Sequence, residues 1–128
     1  MNEKQTEAQR LHDKGFNCAQ SVALPFCEEL GMPRQAAMKA LEGFGAGMGD
    51  RIQTCGALSG AVFVAGLKHS DGNLDAPASK ASTYKCCAEL CKAFKEKCGS
   101  TVCQEIKTLS HQSCGECIAL GIELAENA

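Results

Sequence analysis

The sequence predicts an all-α domain of about six or seven helices packed around one buried helix. Three observations lead there. The run from Thr54 to Leu67 (TCGALSGAVFVAGL) is apolar on every side, yet falls short of the roughly 18 residues that a membrane-spanning helix needs, so it reads as a core helix. Helix start and stop signals recur along the rest of the chain. Tyr84, Cys87, Cys91, Phe94 and Cys98 follow spacings of three and four, which draws an apolar stripe down a long amphipathic helix.

The first element, about Glu3 to Lys14, is polar, with Ala8 and Leu11 inward and Gly15 as its stop. Asn17, with Gln20 three residues on, makes a capping box that opens a second helix through Leu30 and puts Cys18 in its first turn. Pro25 is expected to kink or split it, and Gly31 to end it. A third helix runs from about Pro33 to Glu42. Gly43 to Asp50 has a glycine at every second position, but it follows a helix rather than a strand and is not followed by Lys-Ser/Thr, so no nucleotide loop is expected. Its glycines let the chain pass tightly over the core and deliver Cys55. Gly56, Ala57, Gly60, Ala61 and Ala65 then give the central helix flat surfaces for close packing, with Thr54 as its N-cap. The long helix is expected from Asp75-Ala76-Pro77 to about Lys97, with Cys86 off the apolar face and Cys87 and Cys91 on it. Thr101 and Gln104 cap a short helix to about Leu109, and Ser113-x-x-Glu116 caps the last one, to about Ala125.

At 128 residues the chain suits one domain over its whole length, with enough core to fold without crosslinks, so its ten cysteines are not staples. The charged N-terminus shows no signal or anchor, and a reducing cytoplasm is the expected setting, where cysteine richness means metal binding or redox work. A net charge of −2, no tryptophan and one tyrosine exclude a nucleic-acid footprint.

Cys18, Cys55, Cys103 and Cys114 each fall just inside an expected helix N-terminus. There the free N–H groups and the dipole favour a thiolate, by roughly 0.3–1 kcal/mol from the dipole alone. Two thiolates about 4 Å apart repel by about 4 kcal/mol at an effective dielectric of 20, so converging ones must be protonated, oxidised to disulfides or metal-bound. His12 and His69 read as exposed; His111, near Cys114, is the histidine placed to assist proton transfer or ligate.

Cys18, the run Cys55-Gly56-Ala57-Leu58-Ser59-Gly60, Cys103 and a cysteine at Cys114 or Cys117 resemble the family of redox-active proteins named for a C…GCAxxG…C…C pattern, with CGAxxG as its core. The resemblance spans about Phe16 to Cys117. It implies a redox role carried by four cysteines, and a similar domain accompanies the split-Soret cytochromes, which hold an iron–sulfur cluster as well as haem. This chain lacks C-x-x-C-H, because Ile118 follows Cys117, so covalent haem is not expected. Cys27, Cys86, Cys87, Cys91 and Cys98 lie outside the shared set.

Three chemistries fit: an iron–sulfur cluster on Cys18, Cys55, Cys103 and Cys114 or Cys117; a thiol–disulfide protein using the same residues as redox thiols; and a Cys₄ zinc site, which lacks the usual C-x₂-C pairs. Cys114 and Cys117 have no βαβ surroundings of a thioredoxin. The redox partner and the oligomeric state, a homodimer included, are left open, as is whether the protein is an enzyme.

Overall fold

The computed structural model describes residues 1–128, and it is all-α, with seven helices and no strands. They are α1 (Glu3–Asp13), α2 (Cys18–Cys27), α3 (Arg34–Leu41), α4 (Gly56–His69), α5 (Lys80–Cys98), α6 (Cys103–Thr108) and α7 (Cys114–Glu126). A 3₁₀ turn at Glu42–Phe44 leads into a tight segment, Gly45–Met48, in which Ala46 and Gly47 are left-handed.

α4 is the hub: α2, α7 and α5 pack around it, while α1 covers α2 and α7, and α3 lies on α2. One apolar core runs through these helices, with Val22, Leu24 and Phe26 from α2, Leu58 and Val64 from α4, Phe94 from α5 and Ile118 and Ile122 from α7 all nearly solvent-free. The small residues do what their spacing predicts. A Cβ added at Gly60 would sit 2.6 Å from the Ala19 carbonyl oxygen, so α2 and α4 touch backbone to backbone and their N-termini are drawn side by side.

α4 is not buried all round, as the sequence suggested. Val62 and Phe63 are only partly buried against the core.

Several boundaries move, each for a local reason. Thr54 and Val102 form an isolated antiparallel bridge, and the Cys55 amide donates to the Thr101 carbonyl at 2.8 Å. Both segments therefore stay extended one residue longer than their threonines signal, making Cys55 itself the N-cap of α4 and Val102, not Thr101, that of α6. α5 begins at Lys80 rather than near Asp75. The Asp71 side chain accepts from the Asn73 and Ala78 amides, and Asn73 from those of Asp75 and Ala76, which satisfies the same N–H groups in turns instead. Pro25 stays inside α2 without splitting it, but α2 ends at Cys27, three residues before Leu30.

On α5 the buried face holds Leu90, Phe94 and Cys98. Tyr84, assigned to that face from its spacing, is 65% exposed. Cys86 packs against the core as Cys87 and Cys91 do, so the stripe is rotated from the one the sequence suggests.

Candidate functional site: a cavity lined by five thiols

The helix starts meet. Cys18 and Cys114 are the first residues of α2 and α7, Cys103 is the first of α6 and Cys55 caps α4. With Cys117, one turn along α7, they line a single cavity of about 310 Å³. Cys114 and Cys117 both reach it. That size lies at the lower end of the roughly 300–1,000 Å³ range of cofactor and small-ligand pockets.

The local architecture explains the convergence. Asn17 accepts from the Gln20 amide at 2.9 Å and donates to the Glu42 carbonyl at 3.0 Å, which ties the start of α2 to the end of α3. Gln20 answers with a bond to the Asn17 amide and another to the Met38 carbonyl at 2.8 Å. On the far wall, the chain from Ala46 to Arg51 carries left-handed φ values at Ala46, Met48 and Arg51, each costly for a residue with a Cβ. Pairing with α6 holds it there: the Gln104 amide donates to the Arg51 carbonyl at 2.8 Å and the Cys103 amide to the Gln53 carbonyl at 3.0 Å. A Cβ on Gly47 would lie 2.7 Å from the Cβ of Cys103, so only glycine lets this segment close the cavity behind that thiol.

The thiols are not electrostatically equal. Cys114 is held down to about 5, first by the Cys18 thiol hydrogen-bonded to it and then by the ammonium of Lys107, while burial opposes both. Cys18 is correspondingly pushed up, by its contact with Cys114, by burial and by the charges of Cys114 and Cys55. The Lys107 ammonium, hydrogen-bonded to the Cys114 sulfur, favours the charge on Cys114 and leaves the proton to Cys18. Cys55 is held down to about 7, mainly by the Cys117 thiol and further by the amides of Ala57 and Leu58, although neither amide makes a cap bond of full geometry. Cys117 is pushed up by Cys55 and by burial, and it also touches the Cys98 thiol beneath it. Burial likewise raises Cys103, against Lys107 and Arg51. The site is two thiol pairs, Cys18–Cys114 and Cys55–Cys117, each with one acidic and one proton-holding member, and Cys103 beside them.

Three lining residues escape the sequence reading. Lys107 lies four residues after Cys103 and so on the same face of α6, a signal that was available. Arg51 belongs to the glycine-rich segment. His12 is partly buried in the last turn of α1, not exposed as its polar helix suggests, and one of its ring nitrogens lies with the Cys18 and Cys114 sulfurs in a group whose donor atoms are all within 4.8 Å of one another. His111 is exposed and does not line the cavity.

A helical domain with a cation-flanked nest of thiols defines a cysteine-based redox or metal-binding protein. Residues 16–128 match the family model described as "Putative redox-active protein (C_GCAxxG_C_C)", and the chain belongs to that family. No curated protein and no solved structure matches it. No helix is long and apolar enough to cross a membrane.

Proposed function

We propose that this protein carries electrons through an iron–sulfur cluster held in the cavity by Cys18, Cys55, Cys103 and Cys114. The observation behind this reading is that four thiols from four separate helix starts line one cavity. The donor set fits such a group, since thiolates are its usual ligands. The three-donor group within 4.8 Å is His12, Cys18 and Cys114, so the four motif thiols are spread around the cavity rather than closed on one ion as a Cys₄ zinc site demands. Bound there, the cluster supplies one-electron transfer.

The chain's own residues do the rest. Helix N–H groups, Lys107 and Arg51 offset negative charge on the thiolates, which favours the more reduced, more negative state. Cys117 keeps its proton and hydrogen-bonds the Cys55 sulfur. Ile106 and Ala46 add apolar surface to the cavity wall. Anaerobic purification with iron and acid-labile sulfide analysis and a visible spectrum tests the reading. Iron and sulfide in equal amounts, lost in Cys55→Ser with helical content kept, is the expected result, and an iron-free protein after reconstitution refutes it.

One observation favours a second reading, a dithiol protein. Each contacting pair joins an acidic sulfur to a protonated partner, the arrangement of an attacking and a resolving thiol. Cys114 would attack a disulfide-bearing partner and Cys18 would displace the mixed disulfide; two thiols lose two protons and two electrons, and the partner's disulfide becomes two thiols. Loss of two free thiols on exposure to oxidised glutathione, with no iron bound, would select this reading.

A further inference from the structure

We propose that His12, Cys18 and Cys114 form a three-donor site for a single divalent ion of borderline softness, such as Zn²⁺ or Co²⁺, at the α1 side of the cavity. The inference rests on reading the cavity as a metal centre, but it concerns a ligand set that the four-cysteine pattern does not contain. His12 precedes residue 16, where the family match begins.

The geometry is that of ligands around one ion. Zn–S bonds of about 2.3 Å and Zn–N bonds of about 2.0–2.1 Å in tetrahedral arrangement put donor atoms roughly 3.5–3.8 Å apart. The three donors, all within 4.8 Å of one another, need only a small closing movement to reach that spacing. Each comes from a different helix. His12 lies in the last turn of α1, and Cys18 and Cys114 open α2 and α7. The turn at Gly15, whose φ is +102°, folds the chain between His12 and Cys18 back on itself, and the Gln9 side chain donates to the Gly115 carbonyl at 2.8 Å, fastening α1 to the start of α7. The donors are therefore held by packed helices rather than by a loose loop.

The donor types select the ion. Two thiolates and an imidazole suit zinc and its neighbours, not the oxygen-seeking Mg²⁺ or Ca²⁺. Two thiolates also balance a divalent charge, leaving the Lys107 ammonium and the Arg51 guanidinium as the net charge of the cavity wall. All three donors line the cavity, so the ion's remaining coordination position opens onto it, as in zinc sites that keep one position for an exchangeable ligand.

The test is a Co²⁺ titration of the reduced, metal-free full chain under anaerobic conditions. We expect one Co²⁺ per chain, d–d bands of tetrahedral intensity, sulfur-to-cobalt charge transfer and displacement by Zn²⁺. His12→Ala, Cys18→Ser and Cys114→Ser should each weaken binding by at least about tenfold, with helical content unchanged, whereas Cys98→Ser should leave it within about twofold. Binding that ignores His12→Ala and His12→Asn, or that needs Cys55 and Cys103 to give the same spectrum, overturns the inference, as does no Co²⁺ binding. Cluster reconstitution of the wild-type chain, set beside its own Co²⁺ titration, separates the two readings. A cluster formed by a chain that takes no Co²⁺ at this triad sinks the triad alone, and Co²⁺ bound by a chain that never assembles a cluster sinks the cluster alone.

Discussion

The ammonium of Lys107 hydrogen-bonds the sulfur of Cys114 at the mouth of the cavity, while the Cys18 thiol meets the same sulfur from within. Lys107 is an exposed side chain of a six-residue helix, yet it is the cation closest to the most acidic thiol of the site.

Cys114 should therefore be the fastest thiol to alkylate in the metal-free, reduced protein, and its rate should hold until the pH approaches about 5. Cys18, which keeps its proton, should lag. Lys107→Met should move the Cys114 profile upward. Iodoacetamide kinetics read by mass spectrometry check this, and a Cys114 that reacts no faster than a free thiol at pH 6 would contradict it.

Linkage gives a stability profile with a definite sign. Cys114 and Cys55 are depressed from 9.0 to about 5 and about 7, so in the folded state they release protons that the unfolded chain retains. Their contribution is fully present above about 9 and is lost as pH falls through 7 and then 5. Cys18 and Cys117 are raised, so theirs is present below about 9 and is lost as pH rises beyond it. The reduced, metal-free protein should gain stability from this site between pH 5 and 8, measured as the difference in urea midpoint from Cys114→Ser, and that difference should shrink toward pH 5.

Gly60→Ala should destabilise although alanine is the better helix former, because its Cβ would lie 2.6 Å from the Ala19 carbonyl oxygen, a backbone atom. Overpacking of this kind costs about 1–3 kcal/mol. A thermal midpoint equal to or above wild type would show that α2 and α4 can separate cheaply.

Core truncations should rank by burial rather than by place in the apolar run. Phe94→Ala, at a fully buried position, should cost about 3–5 kcal/mol, and Phe63→Ala clearly less, since Phe63 is only partly covered. Equal losses on urea unfolding would mean that Phe63 is more buried than it stands here.

The fold class, the seven helices and the placement of Cys18 and Cys114 in first turns were all legible, because capping boxes, glycine stops and apolar spacing act within a few residues. Asn17 with Gln20 and Ser113 with Glu116 each make the N-terminal cap bond that their spacing implies. Failures came where distant backbone competed for the same groups. Thr54 and Thr101 are sound capping residues by type, but the Thr54–Val102 bridge takes those segments into extended pairing and passes the cap to Cys55 and Val102. Tyr84 failed because periodicity marks a face without saying how far a neighbouring helix extends over it.

For the site, the chain by itself determined which sulfurs sit at helix starts, since that depends on local hydrogen bonding alone. Only the tertiary structure decided which sulfurs touch. Cys18 pairs with Cys114 and Cys55 with Cys117 because Gly60 lets α2 close on α4 while α7 packs across both, and those contacts set which thiol carries the charge. His12 shows the same division: its position at the end of α1 is local, but its meeting with Cys114, on a helix more than a hundred residues further along the chain, follows from α1 packing on α7, which no short-range pattern encodes.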